Sequence, residues 1–270
     1  LESNCVIQGN INVNSPLVYD NTMSGALKAY ARANQGVVIT PFILGGAMSP
    51  VTMPAAVAQA HAETMVGVAL TQLIRPGSSA VYGNFLTTMD LKSGAPTFGT
   101  PESTLATLAV GQMARRLGLP FRAGGHYTAS KVTDAQAMQE SADSMFPAFL
   151  AGANFIHQAA GWLEGGLVVG YEKFILDSDR LGMLHRMGDG MTINNNSLGF
   201  SAFKENSPGE NFLGTEHTGE NFETANFRSE MADNNSFEQW EEDGSKDAEE
   251  RAYERWNTML DEYIEPPMDP

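Results

Sequence analysis

The chain has 270 residues, 42% of them hydrophobic and 18% charged, which is the composition of a globular protein with a sizeable core. Its net charge of −16 argues against a nucleic-acid partner, because binding to phosphates depends on Lys and Arg. The single cysteine, Cys5, excludes an internal disulfide and any site built from several thiolates, and it favours a reducing, cytoplasmic setting.

The negative charge is concentrated towards the C-terminus. Residues 201–270 contain 19 acidic and 5 basic residues, a net charge of −14, whereas residues 1–200 are almost neutral. We therefore predict a catalytic body over 1–200 and an acidic extension over 201–270, which forms a solvated surface or contacts a partner. No apolar run reaches the roughly 20 residues that cross a bilayer, so we expect no membrane partner.

From its start to about residue 187 the sequence repeats one unit, in which a short aliphatic run leads through a Gly- or Pro-rich loop to a helical pattern. Five units are predicted. Their strands, in chain order, are 6–13, 37–44, 79–85, 121–123 and 154–158. The helices that follow them are 23–33, 54–74, a helix ending at 117, 135–150 and 171–186. A long loop follows residue 85, and a terminal helix over 245–264 is expected to pack on the body.

Residues at the helix ends support these limits. Thr100 before Pro101 is a typical N-terminal cap followed by a first-turn proline. Gly118 closes the same helix. Residues 130–134 contain the Ser and Asp that commonly open a helix.

Alternating strands and helices predict a parallel sheet, and the strands are largely apolar, as strands buried on both faces are. The strand-to-helix loops are longer and more unusual in composition than the helix-to-strand turns. That asymmetry is typical of a (β/α)8 TIM-type barrel, whose sites lie at the carboxyl ends of its strands. We therefore expect the C-terminal five βα units of such a barrel, with about three N-terminal units missing or supplied by another chain.

The densest group of chemically useful residues follows the fifth predicted strand. His157, Gln158, Trp162 and Glu164 lie there among small residues, and a Trp beside a carboxylate suits a bound cation. The alternative is that His157 is a hydrogen-bonded core histidine and Glu164 a surface acid.

The two preceding strand ends carry further candidates. Asn84 is placed to orient a substrate, and His126 either meets a ligand or has a structural role. Lys131 is either a Schiff-base nucleophile or a solvated loop cation. No metal site is predicted.

Several longer motifs occur in the same order as in a known family. They are Leu44-Gly-Gly-Ala-Met-Ser-Pro50, Tyr82-Gly-Asn84, Ser130-Lys131 with Asp134-Ala-Gln136, Ala160-Gly-Trp-Leu-Glu-Gly-Gly166, Tyr171-Glu172-Lys173 and Phe212-Leu-Gly-Thr-Glu-His-Thr218. With these motifs the chain resembles the trimethylamine methyltransferase family over nearly its whole length. Family members are longer, which agrees with the expected missing units.

The resemblance implies a barrel enzyme that moves a methyl group from a methylated amine to the reduced cobalt of a corrinoid. The cobalamin is carried by a partner protein and is not bound covalently to this chain. Archaeal trimethylamine enzymes of the family place pyrrolysine on a barrel-end loop, and residues 126–131 are our match for that loop. Because the chain contains only standard amino acids, it resembles the branch without pyrrolysine, for which glycine betaine is the expected donor.

A quaternary ammonium already carries an electrophilic methyl group, so the protein's task is to hold and aim it. We expect four residues to bind the cation of the substrate, three residues to bind its carboxylate, and one histidine to face the corrinoid. The cation residues are Phe85, Tyr127, Trp162 and Glu164, the carboxylate residues are Asn84, Arg122 and Gln158, and the histidine is His126 or His157.

Three other functions stay open at this point. The chain is alternatively a barrel lyase or aldolase that uses Lys131, a quaternary-amine binding protein without turnover, or a truncated paralogue without activity. A small methylated amine and a corrinoid protein are the expected partners, and a homo-oligomer is compatible with the sequence.

Overall fold

The computed structural model describes residues 4–268. Its strands are β1 (Gln8–Val13), β2 (Gly36–Gly45), β3 (Ala80–Gly83), β4 (Phe85–Met89), β5 (Pro96–Thr97), β6 (Phe121–Gly124), β7 (Phe155–His157), β8 (Trp162–Leu163) and β9 (Val168–Val169). Its helices are α1 (Asn21–Arg32), α2 (Met53–Ile74), α3 (Pro101–Arg116), α4 (Ala135–Leu150), α5 (Tyr171–Gly188), α6 (Phe200–Glu205), α7 (Glu216–Asn221), α8 (Phe237–Glu242) and α9 (Ala248–Asp261).

The main sheet is parallel apart from one short strand. β1, β2, β3, β6 and β7 lie side by side in chain order, and each neighbouring pair is parallel. β4 runs parallel to the second half of β2, and β5 pairs antiparallel with β4. The predicted α/β class with a parallel sheet is therefore confirmed, while its closure into an eight-stranded barrel stays a prediction.

Helices α1 to α4 cover one face of this sheet. Alternate strand residues point to that face and form three buried clusters with the helices. The strand members are Ile11, Val13, Val37, Ile39, Ile43, Tyr82, Leu86, Phe121 and Ala123. The residues between them face the other side, where polar and aromatic side chains collect.

The expectation that the strands are apolar on both faces is wrong for β1. Its residues alternate between exposed and buried, with Asn10 and Asn12 exposed and Ile11 and Val13 buried. The alternation follows because only one face of this strand packs against helices.

The third predicted strand is divided at Asn84. The backbone N–H of Asn84 donates to the carbonyl of Arg122 in β6, at 2.9 Å, so the chain leaves β2 at this point. It returns to pair with the second half of β2 as β4, and part of the predicted long loop is therefore the β4–β5 hairpin.

The predicted helix caps are confirmed. The Thr100 side chain accepts a hydrogen bond from the Ser103 N–H at the start of α3, and Asp134 accepts from the Ala137 N–H at the start of α4. Gly118 has a φ of +67°, the left-handed conformation that commonly ends a helix.

The acidic extension contains α7 to α9 and all of α6 except its first residue, and α9 packs against α5. Ala252 of α9 and Leu176 of α5 share a buried cluster with Met231, and Trp256 Nε1 donates to Glu172 Oε1 at 2.9 Å. The terminal helix is shorter than predicted and starts at a capping box formed by Asp247 and Glu250. Across residues 4–268, no helix has the length and apolarity that a membrane crossing requires.

Candidate active site

Four aromatic rings from different segments meet near the carboxyl ends of β3 and β6. Phe85 begins β4, Tyr127 follows β6, Trp162 begins β8 and Phe98 precedes α3. Tyr127 is the centre, with ring centroids 4.9 Å from Trp162, 5.3 Å from Phe85 and 5.5 Å from Phe98. Phe85 also lies 6.3 Å from Trp162. We call these four rings the aromatic cluster; three of them were predicted to share a pocket and lie together.

Arg122 joins the aromatic cluster to the strand ends. Its Nη1 donates to the backbone oxygen of Asn84 at 3.0 Å, and its Nη2 donates to Gln158 Oε1 and His157 Nδ1, both at 2.8 Å. Gln158 Oε1 also accepts from the Tyr127 hydroxyl at 3.1 Å. A guanidinium and an aromatic wall are thus linked through one side-chain amide.

No carboxylate of the described residues balances the charge of Arg122. The residue is 1% exposed, and within residues 4–268 no Asp or Glu lies at ion-pair distance from it. Its Nε–H has no hydrogen-bond partner within the same residues. Burial lowers the pKa of the guanidinium, yet arginine stays charged in proteins. An anion bound here would therefore meet a desolvated, incompletely satisfied cation.

His157 is held in its neutral form. Because an arginine nitrogen can only donate, His157 Nδ1 must accept from Arg122 Nη2, and the ring proton lies on Nε2. Burial and then the neighbouring guanidinium lower the pKa of His157. Its exposed imidazole thus offers an Nε2–H at the strand ends.

His126 lies inside the protein. It is 0% exposed, and its Nδ1–H donates to the Ala159 carbonyl at 2.6 Å, which links the loop after β6 to the loop after β7. Burial lowers its pKa to about 3, so the ring is neutral. Of the two histidines predicted to face a corrinoid, only His157 is exposed; the catalytic roles of both stay predictions.

Asn84 and Glu164 occupy different environments. The Asn84 amide nitrogen donates to the Thr107 hydroxyl of α3 at 3.4 Å, and the Asn84 Oδ1 is buried without a hydrogen-bond partner in the described part of the chain. Glu164 lies two residues after Trp162 in a short 3-10 turn, with a φ of +48°. Its backbone N–H donates to the Ser130 carbonyl at 2.7 Å, which brings its loop against the loop after β6.

Lys131 is exposed and its ammonium donates to the Ala129 carbonyl at 2.9 Å in its own loop. A Schiff-base lysine is usually activated by desolvation or by a neighbouring cation. Since Lys131 is solvated, the geometry gives the lyase alternative no support.

Sequence reasoning missed Phe98, Phe42 and the buried pair Lys173 and Asp177. Phe98 contacts both Tyr127 and Trp162, and Phe42 stacks on Phe85 with centroids 4.9 Å apart. Lys173 and Asp177 are separated by one helical turn, which is the spacing of an ion pair and the one available signal.

No group of three or more His, Cys, Asp or Glu side chains capable of holding a metal occurs in the described part of the chain. The polar side chains linked beside the aromatic cluster are those of Arg122, His157, Gln158 and Tyr127.

Gly124 allows Tyr127 to enter the aromatic cluster. A Cβ on Gly124 would overlap the Tyr127 phenol, so we expect Gly124→Ala to displace this ring and lower the free energy of unfolding by about 1–3 kcal/mol. The matched control is Gly25→Ala in α1, where nothing lies within 4 Å of the new Cβ. That change should raise stability by about 0.5–1 kcal/mol. Urea unfolding of both variants measures the difference, and equal effects would contradict the proposed contact.

Comparison with known proteins gives one family. The model of the family described as Trimethylamine methyltransferase (MTTB) matches residues 1–270. A glycine betaine methyltransferase of Desulfitobacterium hafniense (strain Y51) is 35% identical over 260 residues, covering 96% of this chain and 54% of the relative.

Two further relatives are named trimethylamine methyltransferases. The trimethylamine methyltransferase MttB of Desulfitobacterium hafniense (strain DSM 10664 / DCB-2) is 30% identical, over 96% of this chain and 52% of its own. MttB1 of Methanosarcina mazei is 31% identical, over 88% of this chain and 48% of its own. The chain spans about half the length of the curated relatives it matches. The chain belongs to the trimethylamine methyltransferase (MTTB) family.

Proposed function

We propose that this chain acts in methyl transfer from a quaternary or tertiary methylamine, with glycine betaine as the leading donor, to the Co(I) corrinoid of a partner protein. The names of its relatives support a methylated-amine donor. The observation that carries the choice of glycine betaine is the buried guanidinium of Arg122, which has no carboxylate partner in the part of the chain that the structure describes and lies beside the aromatic cluster.

A betaine has a trimethylammonium group and a carboxylate separated by a single carbon. The faces of Phe85, Tyr127 and Trp162 attract the cation through their quadrupoles, and Glu164 adds negative charge to the same loop. The carboxylate pairs with Arg122, with Gln158 as the amide between the two halves. Asn84 supports this arrangement through its backbone oxygen, which holds the guanidinium.

The donor cation lies against the outer surface of the aromatic cluster. The rings contact one another, and the cavity beside Phe85, Phe98 and Tyr127 measures about 30 Å³. That volume holds one or two water molecules and is too small for a trimethylammonium group. Phe85 and Trp162 are only partly buried, and Phe42, stacked on Phe85, is 38% exposed.

Quaternary donors simplify the chemistry that the chain must perform. The methyl–nitrogen bond breaks with its electron pair left on nitrogen, so a neutral tertiary amine leaves without a proton transfer. The methyl group passes to the Co(I) of the partner protein, which is the second substrate. The chain supplies binding, orientation and exclusion of water. We place the exposed His157, as an Nε2–H donor, towards the corrinoid.

A methyl-transfer assay tests this function. The purified protein is mixed with reduced cobalamin and with glycine betaine, choline or trimethylamine in parallel. We expect dimethylglycine and methylcobalamin in equal amounts from glycine betaine and little product from choline.

The other outcomes identify the alternatives. Binding of glycine betaine without either product would indicate a non-catalytic binding protein, and absence of both binding and product would indicate an inactive paralogue. Borohydride trapping of a substrate on Lys131 would favour a lyase.

A further inference from the structure

Asp177, in the second turn of α5, is the point at which two loops of the candidate site meet. Its Oδ2 accepts a hydrogen bond from the Gly161 N–H, in the loop after β7, at 2.9 Å. Its Oδ1 packs 3.5 Å from Nδ1 of His126, in the loop after β6, and has no hydrogen-bond partner among residues 4–268. Asp177 and His126 are both 0% exposed, so these contacts are internal.

The residues that lie beside Asp177 are chain neighbours of residues of the candidate site. His126 precedes Tyr127, and Gly161 precedes Trp162. Ala159, whose carbonyl accepts from His126, follows Gln158. A shift at Asp177 would therefore reach the Tyr127–Trp162 ring contact through single peptide units.

The backbone at these positions needs support. His126 and Gln158 have φ values of +53° and +51°, a left-handed conformation that costs free energy in residues other than glycine. Gly161, with a φ of +83°, also has a left-handed backbone conformation. Conformations of this kind persist where surrounding contacts hold them.

A buried cation balances the carboxylate. Lys173, also 0% exposed, donates to Asp177 Oδ2 from one turn earlier in α5. Arg180, on the same helix, also acts electrostatically on Asp177, Lys173 and His126. Lys173 thus allows Asp177 to be a charged acceptor inside the protein, where an unpaired carboxylate would be costly.

We propose that Asp177 is a positioning residue, which sets the Tyr127–Trp162 contact by accepting a hydrogen bond from the Gly161 N–H. This role of Asp177 does not depend on which ligand the site binds. Only the binding measurement below rests on the proposed function.

The test compares two double variants in which the buried charges are removed together. Lys173→Met with Asp177→Asn keeps an acceptor for the Gly161 N–H, whereas Lys173→Met with Asp177→Leu has a similar size and no acceptor. Neither variant leaves Lys173 or Asp177 as an unpaired charge, and Arg180 is the same in both, so the comparison isolates the hydrogen bond. Asp179→Leu is the matched control, because Asp179 accepts from the Ser229 hydroxyl and the Glu230 N–H, in the extension, rather than from a site loop.

The main readout is the 19F NMR spectrum of protein labelled with 5-fluorotryptophan. The chain has three tryptophans, and Trp162→Phe assigns the Trp162 line. We expect this line to move in the Asp177→Leu double variant and to keep its wild-type position in the Asp177→Asn double variant and in Asp179→Leu. The lines of Trp240 and Trp256 should stay in place in both double variants.

A Trp162 line unchanged by Asp177→Leu would overturn the proposal, and so would a shift of all three lines together, which indicates general loosening. Glycine betaine should bind about tenfold more weakly to the Asp177→Leu double variant than to the Asp177→Asn double variant, as expected when a buried N–H loses its acceptor. If the wild-type protein binds no glycine betaine, the proposed donor is wrong, while the 19F spectra still decide the role of Asp177.

Discussion

Replacing Arg122 with methionine should remove the preference for glycine betaine over choline, two quaternary amines that differ in the carboxylate. The guanidinium is buried, has an unused Nε–H and lacks a carboxylate partner among residues 4–268. A fully desolvated charge pair typically loses 2–5 kcal/mol when one partner is truncated. We therefore expect the ratio of the two affinities to fall about 100-fold, equivalent to about 2.7 kcal/mol.

Titration calorimetry with both amines measures this ratio. Choline binding should change little in Arg122→Met, because its cation is held by the aromatic cluster. The variant is expected to fold, since no buried carboxylate loses a partner. The matched control is Arg116→Met, at an exposed position near the end of α3, which should leave both affinities unchanged. Undiminished glycine betaine binding by Arg122→Met would contradict the assignment of the carboxylate to this residue.

The single substitution Lys173→Met should be among the most destabilising in the chain. It removes the cation that pairs with Asp177 while both side chains are fully buried. Breaking such a pair on one side costs about 3–5 kcal/mol, because the remaining charge is left without compensation. Urea unfolding near neutral pH should show this loss, whereas Lys173→Met combined with Asp177→Asn should recover a large part of it.

The loss of stability in Lys173→Met should depend on pH in a defined direction. Burial raises the pKa of Asp177 to about 6, although Lys173 acts to lower it, so without Lys173 the pKa rises further. A group whose pKa is higher in the folded than in the unfolded protein stabilises the fold below its unfolded pKa, and that stabilisation is lost as pH rises through the folded pKa. The deficit of Lys173→Met should therefore shrink towards pH 5 and grow above pH 6. A deficit that is constant from pH 5 to 8 would show that Asp177 does not titrate as described.

The elements that depend on local sequence could be predicted closely. Helix α4 has the predicted limits, and the caps at Thr100 and Asp134 lie where their residue types indicated. Caps and helical periodicity are set by residues within one or two turns of each other, so a single sequence contains the necessary information.

The irregular parts of the sheet were missed. The break at Asn84, the β4–β5 hairpin and the β8–β9 hairpin all depend on which strand lies alongside. Asn84, for example, bonds to β6 and so leaves β2 at that position. The strands that pair are distant in the chain, and a short strand has too little local sequence pattern to identify its pairing partner.

For the candidate site, residue type and strand-end position were enough to nominate Phe85, Tyr127 and Trp162, which lie in contact. Phe98 was missed because it lies in a loop that folds back onto them. His126 was nominated as a ligand-facing group, yet it is buried. Sequence indicates that a histidine follows a strand but not whether the next loop covers it.

By itself, then, the sequence determined the family, the alternation of strands and helices, and the residues that end the strands. Only the tertiary structure decided that Arg122 is a buried cation with no carboxylate beside it among residues 4–268, that His157 rather than His126 is exposed, and that Asp177 accepts a hydrogen bond from a site loop. The reason is physical. Burial and charge balance depend on the distances between segments tens of residues apart, and the energy of a charge depends on the side chains that exclude water from it.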